Sequence, residues 1–454
     1  MPLPFGDKGQ ASWVNGAFFA QPNAAWPSHG GFFFVFFPYF SWGFKMTVPS
    51  NPKVLILSIR NWLGAARLPK AFQRAGCDVT TLTFPSLLLD RCRHTSAQIF
   101  LPDSGPESEL IAATRRVLVA ERPAIVVPGD EAATELLQAV AATARLELPE
   151  ADPLLCLLRD SLGDFKSHHL LRDRRGMGQL AADLRVRAPA FRVVHDRAEA
   201  FAFAEQHGLP VVLKAEESFA GLGVSICKDD AALDAAVARM AASNPAMLRQ
   251  GMQLQTFVAG RTAMRAVVAW RGEVLAGLSA IKVETHPGPT GPSAVVEFVD
   301  NPEMRSTAQA MIRALGYSGF ASLDFILDAQ SHAHLIELNP RPTPICHLGD
   351  HLGLDLCLRL REAIEGKMSP DGDPPGLPKK VALFPQEWVR NASSPHFADS
   401  FHDVPWDDPD MVEAFVILAR GQMRGGQWHY QEARRERIRQ LLTQLEAPSQ
   451  SALP

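Results

Sequence analysis

The sequence has few cysteines, and no two of them stand at the spacing of a metal or redox site. Its six cysteines are spread over 454 residues without a Cys-x-x-Cys pair. Free thiols are typical of proteins from a reducing cytoplasm, so we expect a cytoplasmic protein. The net charge of −4 includes no basic excess, which argues against a nucleic-acid partner.

The N-terminal region matches the pattern of neither a membrane span nor a signal peptide. Its apolar stretch, FFFVFFPYF at 32–40, is far shorter than the roughly 20 residues that a spanning helix needs, and it contains Pro38. A basic start and a small-residue cleavage site are missing. Met46 precedes TVPSNPKVLILSI, which is typical of a cytosolic start. We therefore predict that residues 1–45 are disordered or come from a start codon assigned too far upstream.

No Gly-x-Gly-x-x-Gly motif follows the first predicted strand, which argues against a dinucleotide site there. Strand and helix patterns nevertheless alternate from residue 53 onward. We predict strands at 53–59, 78–84 and 124–130 and helices at 66–76 and 107–122. This alternation indicates a parallel sheet, and it predicts a Rossmann-like domain over 46–150.

Beyond residue 150 the patterns predict a second domain of α+β type, over 151–368, and a C-terminal extension over 369–454. A Gly/Pro-rich loop at 284–293 has the composition of an active-site lid. One closing helix is predicted at 347–366. The extension combines a strand at 380–385 with a basic packing helix at 431–445.

The most informative segment is SLDFILDAQSHAHLIELNPRP, which alternates on both sides of a turn and predicts a hairpin. Glu337 and Asn339 are two residues apart on one strand and so share a face, and Asp324 lies on the other strand. Two carboxylates and an amide oxygen form a hard ligand set suited to Mg²⁺. Arg341 follows and has the geometry to hold a transferring phosphate. The pattern alone equally fits a solvated hairpin face.

A lysine and a glycine turn form a second candidate group. Lys214 ends the apolar strand VVLK, where a buried ammonium requires an anion. Gly221 and Gly223 would let backbone amides approach a phosphate closely. Both features also occur in purely structural contexts. Lys166, on a predicted helix, is by itself most simply a solvent-facing lysine.

The order of these features resembles the ATP-grasp family over 151–368, and the domain at 46–150 resembles the Rossmann-type domain that precedes the grasp in that family. The resemblance implies an α/β and α+β protein, in which ATP lies between two subdomains of the grasp. It also implies ATP and Mg²⁺ (or Mn²⁺) as ligands. By resemblance, the phosphates would contact Lys166, Lys214 and the loop that includes Ser218, Gly221 and Gly223.

The same resemblance assigns the remaining site residues. Adenine would lie against the hinge strand, made of Gln255, Thr256, Phe257 and Val258. The metal ions would bind Asp324, Glu337 and Asn339. Arg341 would steady an acyl phosphate, with Lys214 as the second catalytic residue.

The sequence departs from the family pattern at three places. The hinge opens with Gln255 where a glutamate is usual, and Thr262 stands where a ribose-binding glutamate is common. The glycine loop is poorer in glycine than in the carboxylases of the family, which argues against a biotin carboxylase, as does the lack of a biotin-carrier segment. Two further residues, Arg265 and Lys282, either face the acyl-phosphate pocket or are solvated.

The predicted activity is an ATP-dependent ligation of a small carboxylate to an amine, or less often to a thiol, with release of ADP and phosphate. One alternative is a kinase of the same fold. Another is a non-catalytic ATP-binding protein, to which the altered hinge is the only pointer. A nucleophilic pair of Cys346 and His347 is disfavoured, because adjacent side chains rarely meet. A homodimer is the default expectation.

Overall fold

The computed structural model describes residues 51–214, 224–243, 251–288, 291–368, 372, 374–377, 379–421 and 426–446, all within one unit, Val48–Pro454. The predictions for residues 1–45 and for Ser218, Gly221 and Gly223 lie outside the described residues. The described chain forms three sheets with helices against them, so the predicted mixed α/β class is confirmed. The domain boundaries remain predictions.

The first sheet is parallel, as the alternating pattern predicts. Its strands follow the order β3-β2-β1-β4 and are β1 (Lys53–Ser58), β2 (Asp78–Thr83), β3 (Ala97–Phe100) and β4 (Ile125–Pro128). The helices of this part are α1 (Leu63–Arg74), α2 (Glu107–Glu121), α3 (Glu131–Arg145) and α4 (Pro153–Leu162). Strand order reverses between β1 and β4, so the crevice at their carboxyl ends is the edge where α/β folds usually bind ligands.

The second sheet has four antiparallel strands in the order β5-β8-β6-β7. These are β5 (Phe191–Val194), β6 (Val211–Lys214), β7 (Val224–Cys227) and β8 (Met252–Thr256). Two helices cover it, α6 (Arg197–His207) and α7 (Asp230–Ser243), whereas α5 (Arg174–Asp183) buries Ala181 in the core of the third sheet. Apolar residues of α6 and α7 share a core with this sheet, which explains why both helices cover one of its faces.

The third sheet has seven strands in the order β13-β12-β9-β10-β11-β14-β15. They are β9 (Arg261–Trp270), β10 (Glu273–Thr285), β11 (Ser293–Phe298), β12 (Gly319–Leu327), β13 (Ala333–Asn339), β14 (Lys379–Leu383) and β15 (Phe401–Asp403). The last two strands belong to the predicted extension. Because β14 pairs with β11, the extension completes this sheet instead of standing apart from it.

The helices of the C-terminal half are α8 (Pro302–Leu315), α9 (Gly349–Leu352), α10 (Leu356–Ile364), α11 (Gln386–Arg390), α12 (Pro409–Ala419) and α13 (Gly426–Glu446). The single closing helix predicted at 347–366 is wrong. Gly353 takes a left-handed conformation (φ 81°) between α9 and α10, and Asp355 caps α10 by accepting from the Cys357 and Leu358 amides. Within the described residues, no helix is both long and apolar enough to cross a membrane.

The loop expected as a long lid is a shorter hairpin connection. Strand β10 extends to Thr285 and β11 begins at Ser293, and these two residues pair. The His286 amide donates to the Pro292 carbonyl at 3.0 Å, which closes the connection. The ends of the predicted loop are therefore paired strand residues, and Pro289 and Thr290 lie outside the described residues.

Helix α13 packs against α3, and a buried ion pair joins the two helices. Glu135 on α3 is 3% exposed and accepts two hydrogen bonds of 2.7 Å from Arg435, while Arg439 donates a third at 2.9 Å. Burial raises the pKa of the Glu135 carboxyl, but the two arginines outweigh burial and lower it. Ile438 and Leu442 join the core beneath. The basic helix thus packs on α3 through both buried apolar residues and a buried ion pair.

Candidate functional site

The predicted hairpin brings its acidic residues together. Asp324 on β12 stands directly opposite Glu337 on β13, and the Asn339 amide donates to Asp324 Oδ2 at 3.2 Å. The pairing shifts register immediately after Asp324, which leaves Ile336 as an extra residue on β13. Such a bulge re-aims neighbouring side chains and is common beside functional sites. Two carboxylates and one amide therefore form a single cluster.

Cationic side chains from two other elements surround these carboxylates. Lys282 on β10 places Nζ 2.9 Å from Asp324 Oδ1, and Arg174 on α5 places Nη2 3.2 Å from Glu337 Oε1. Lys282 is therefore not simply solvated, and its place in an acyl-phosphate pocket stays a prediction. The carboxylates remain accessible, with side chains 27% and 37% exposed. The cluster is a charged surface where oxygen ligands and cations alternate.

Lys214 approaches the same cluster from the second sheet. Burial lowers the pKa of its ammonium from 10.5 to about 8, while the negative charges of Glu337 and Asp324 act in the opposite direction. Arg174 lowers the pKa further by like-charge repulsion. Lys214 thus lies at the end of β6, where the charges of both carboxylates act on its ammonium.

Arg341 is held by the edge of the parallel sheet. Its Nε donates to Glu131 Oε1, and its guanidinium stacks 3.9 Å from the centroid of the Trp62 ring. Trp62 Nε1 in turn donates to the Pro342 carbonyl at 2.7 Å. Burial raises the pKa of the Glu131 carboxyl, but the Arg341 charge outweighs burial and lowers it from 4.5 to about 2. Arg341 is therefore clamped by an ionised glutamate and an aromatic face.

Asp130 joins the two loops that form this clamp. Its Oδ2 accepts from Ser58 Oγ and from the Ile59 and Arg60 amides, at 2.7, 2.9 and 3.1 Å. Its Oδ1 caps α3 by accepting from the Ala133 amide at 2.9 Å. Asp130 is 1% exposed. The residues that position Arg341 thus come from the carboxyl ends of β1 and β4, where the strand order reverses.

The predicted hinge segment lies on and just after β8. Gln255 is buried and pairs with Phe191 and Val212 in the neighbouring strands. The Thr256 amide donates to the Ala190 carbonyl at 2.9 Å and the Phe257 amide to the Pro210 carbonyl at 3.3 Å. These two amides already have acceptors within the protein. If adenine binds here, its backbone hydrogen bonds would involve Val258 and the carbonyl oxygens of the hinge segment.

Three other candidates do not join the cluster. Lys166 is exposed on a 3₁₀ turn, Phe165–Ser167, and within the described residues its ammonium makes no ion pair. Arg265 is fully buried and donates to Ser279 Oγ at 2.7 Å, so the solvated alternative is wrong, and its place in an acyl-phosphate pocket stays a prediction. Burial raises the pKa of the Cys346 thiol to about 11, and His347 bonds Asp403 instead. A Cys346–His347 nucleophile is therefore not formed.

The sequence analysis missed Arg174, Glu131 and Trp62. Arg174 stands in an arginine-rich stretch, DRR, that carries no recognisable motif. Glu131 and Trp62 had a usable signal, because each closely follows a strand that ends at the edge where the strand order reverses. That signal depends on knowing the strand order.

One part of the chain matches a known protein family. Residues 173–268 match the family described as carbamoyl-phosphate synthase L chain, ATP binding domain. This stretch includes Arg174, Lys214 and Gln255 and ends before the acidic hairpin.

Three solved structures share the fold at low sequence identity. Biotin carboxylase from Campylobacter jejuni is 17% identical, with a TM-score of 0.54 over 70% of this chain and 72% of that one. N5-carboxyaminoimidazole synthetase from Staphylococcus aureus, complexed with ADP, is 12% identical, with a TM-score of 0.53 over 72% and 81%. Phosphoribosylglycinamide synthetase from Anaerococcus prevotii is 15% identical, with a TM-score of 0.51 over 70% and 76%.

Proposed function

The chain has the ATP-grasp fold, and on this premise we propose that it is an ATP-dependent ligase. It would phosphorylate a small carboxylate to an acyl phosphate, which an amine (or a thiol) then attacks, with release of ADP and phosphate. The proposal rests on the cluster of Asp324, Glu337 and Asn339. Arg341 follows Asn339 by two residues and is held by its ion pair with Glu131. Phosphoryl transfer requires positioning and charge neutralisation more than covalent help from the protein.

The donor set fits Mg²⁺ or Mn²⁺. Asp324, Glu337 and Asn339 supply oxygen atoms, which are the ligands that these ions prefer, and both carboxylates are accessible. Their present cationic partners, Lys282 and Arg174, compensate the negative charge that a metal ion would otherwise neutralise. A bound ion would supply charge neutralisation at the transferring phosphate.

The cationic residues have separate roles in the proposal. Lys214 would contact the ATP phosphates, and its pKa of about 8 leaves most of the ammonium charged at neutral pH. Arg341 would stabilise the acyl phosphate and the tetrahedral intermediate that the amine forms from it. Its ion pair with Glu131 and its stacking on Trp62 limit the orientations of the guanidinium, which favours preorganisation.

The test is ADP release by the protein from Met46 onward, with Mg²⁺-ATP and pools of carboxylic acids and amines. A ligase forms ADP only when both an acid and an amine are present, and splitting the pools then identifies the two substrates. Glu337→Gln should lower turnover by at least about 100-fold, because it removes a charged ligand of the metal ion that would neutralise the reacting phosphates. Glu273→Gln is the matched control, since Glu273 pairs with Arg313 on the exposed surface of the same sheet.

Two results would contradict the proposal. ADP formed with one acceptor and a stable phosphorylated product would identify a kinase. Tight ATP binding without ADP release from any pool, combined with a Glu337→Gln effect on nucleotide affinity alone, would identify a binding protein.

A further inference from the structure

Helix α3 carries three polar side chains on one side, here called the polar stripe. Glu131, Glu135 and Gln138 are spaced by four and then three residues, so their side chains leave the same side of the helix. Glu135 and Gln138 are only 3% and 1% exposed. Burying such groups costs free energy unless each one is paired. The polar stripe therefore requires partners from other elements.

An arginine from a different part of the chain pairs with each member of the polar stripe. Arg341, from the loop after the acidic hairpin, donates to the first member. Arg435, on α13, donates two hydrogen bonds of 2.7 Å to the second. Arg172, which comes just before α5, donates through Nη1 to the third. One side of α3 thus connects the loop of Arg341, the C-terminal helix and the segment that leads to Arg174.

Helix α13 contacts the polar stripe in two ways. The direct contact is the pair of Arg435 with Glu135. The indirect contact is at the other end of the helix, where both carboxylate oxygens of Glu446 accept from Arg172 Nη2, at 2.7 and 2.6 Å. The Arg172 side chain is 14% exposed, so this second pair is largely shielded from water. Both contacts lie on paths that lead to the acidic cluster.

The first path runs from Arg435 to Arg341. Glu131 and Glu135 are one helical turn apart, where like charges repel. Burial raises the pKa of the Glu131 carboxyl, and the charges of Arg341 and Arg435 both lower it. Arg435 therefore stabilises both carboxylates in their ionised form. Because ionised Glu131 holds the guanidinium of Arg341, removal of Arg435 is expected to loosen that guanidinium.

The second path runs from Arg172 to Arg174. Asp173 lies between them: its amide donates to the Leu170 carbonyl at 3.2 Å, and its Oδ1 accepts from the Arg175 amide at 2.9 Å. These hydrogen bonds join the turn that ends at Arg172 to the first turn of α5. Arg174 is the first residue of α5 and pairs with Glu337. Arg172 therefore fixes the start of the helix that presents Arg174 to the acidic cluster.

We propose that Arg435 and Arg172 are positioning residues for the acidic cluster, so that the packing of α13 on α3 sets the orientations of Arg341 and Arg174. Arg435 acts through Glu131, and Arg172 acts through the start of α5. The expected effect on turnover rests on the proposed function. The ordering of Arg341 and Arg174 is a property of the unliganded chain and is measured without substrates.

The test is hydrogen exchange of the full chain, followed by mass spectrometry well below the unfolding temperature. Arg435→Ala should speed exchange of the amides in 341–346 by at least about 10-fold, and Arg172→Ala should do the same for 174–180, because each loses the contact that orders the segment. Arg435→Lys keeps the charge and should restore most of the protection. Arg437→Ala removes an exposed pair on the same helix and should leave both segments unchanged.

A destabilised variant elsewhere separates loss of positioning from general loosening. Phe203 is 1% exposed and belongs to the core beneath the second sheet, which contains neither arginine. Phe203→Leu should therefore leave exchange of 341–346 unchanged. Circular dichroism shows whether each variant folds. If Arg435→Ala does not fold, Arg435→Met replaces it, because methionine keeps an apolar stem in the interface.

ADP release supplies the second measurement. The kcat of Arg435→Ala should fall by about 10-fold with a smaller change in the KM for ATP, as for residues that orient a reacting group. A wild type that releases no ADP would contradict the proposed function, and exchange would then decide the positioning role alone. Three results would overturn that role: unchanged exchange of either segment in its own variant, an equal increase in Arg437→Ala or Phe203→Leu, or full wild-type turnover in Arg435→Ala.

Discussion

Arg341 and Glu131 are 210 residues apart in the sequence, and their side chains form a hydrogen-bonded ion pair at the carboxyl edge of the parallel sheet. Glu131 is the first residue of α3, where backbone amides already favour a negative charge. The arginine that follows the acidic hairpin is thus oriented by residues at the edge of a different sheet. The two parts of the chain meet at the residue proposed to hold the acyl phosphate.

The first prediction concerns the contribution of Glu131 to turnover. In Glu131→Gln the guanidinium of Arg341 keeps its stacking on Trp62 but loses the ionised partner that fixes its orientation. We expect kcat to fall by about 10- to 100-fold, the range for residues that orient a reacting group, with a smaller change in the KM for ATP. Steady-state ADP release measures both constants.

The control for this prediction is Glu147→Gln, because Glu147 forms an exposed pair with Arg115 and touches no site residue. Rescue by Glu131→Asp would support a positioning role, since the shorter side chain keeps the charge. Unchanged kcat in Glu131→Gln would show that Trp62 alone suffices to orient Arg341.

The second prediction concerns the pH dependence of stability. The Glu131 carboxyl has a pKa of about 2 in the folded chain and 4.5 as its ordinary value. Its contribution to the free energy of unfolding is therefore complete above pH 4.5 and disappears as the pH falls toward 2. A shift of this size corresponds to at most about 3 kcal/mol.

Urea unfolding of the wild type and Glu131→Gln, measured between pH 7 and pH 3, checks this expectation. The difference in free energy of unfolding between the two proteins should shrink as the pH falls. Glu147→Gln should differ from the wild type by less than about 1 kcal/mol throughout, as is usual for exposed pairs. A difference for Glu131→Gln that is independent of pH would show that folding does not shift the pKa of this carboxyl.

The third prediction concerns Lys214, whose ammonium has a pKa of about 8 because burial disfavours its charge. If Lys214 contacts the ATP phosphates, the affinity of the protein for Mg²⁺-ADP should weaken as the pH rises above 8, approaching about 10-fold per pH unit. Calorimetric titrations from pH 6.5 to 9.5 measure this slope.

Two variants of Lys214 separate its charge from its bulk. Lys214→Arg keeps a charge that does not titrate in this range, so it should bind Mg²⁺-ADP with little dependence on pH. Lys214→Met should bind weakly at every pH. The same pH slope in Lys214→Met as in the wild type would assign the titration to another group.

Local patterns were sufficient to predict the hairpin of β12 and β13. Strand alternation and the turn at AQSH are properties of neighbouring residues. Together they predict the antiparallel pairing in which Asp324 lies opposite Glu337. The break at Gly353 was missed because one glycine within a helical pattern is often tolerated.

Contacts between distant segments could not be predicted in the same way. The clamp on Arg341 depends on which strand lies beside β1, and the contact between Arg174 and Glu337 depends on how α5 packs against the third sheet. Hydrophobic periodicity reports which face of an element is buried, but it does not report which element covers that face. The pairing of β14 with β11 could not be predicted from the sequence for the same reason.

The fourth prediction concerns the attachment of helix α13. Arg435 donates two hydrogen bonds to Glu135, which is 3% exposed, so Arg435→Ala leaves a buried carboxylate with Arg439 as its remaining cationic partner. We expect the free energy of unfolding to fall by about 2–4 kcal/mol, because a buried charge that loses a partner keeps its desolvation cost. Urea denaturation followed by circular dichroism measures the change.

Arg437→Ala is the matched control on the same helix. Arg437 pairs with Glu107 and is 48% exposed, so its removal should cost less than about 1 kcal/mol. The double variant Glu135→Gln with Arg435→Met removes both charges and should recover part of the loss caused by Arg435→Ala. Equal effects of Arg435→Ala and Arg437→Ala would show that the buried pair does not fasten α13, and that the apolar contacts of Ile438 and Leu442 hold the helix against α3.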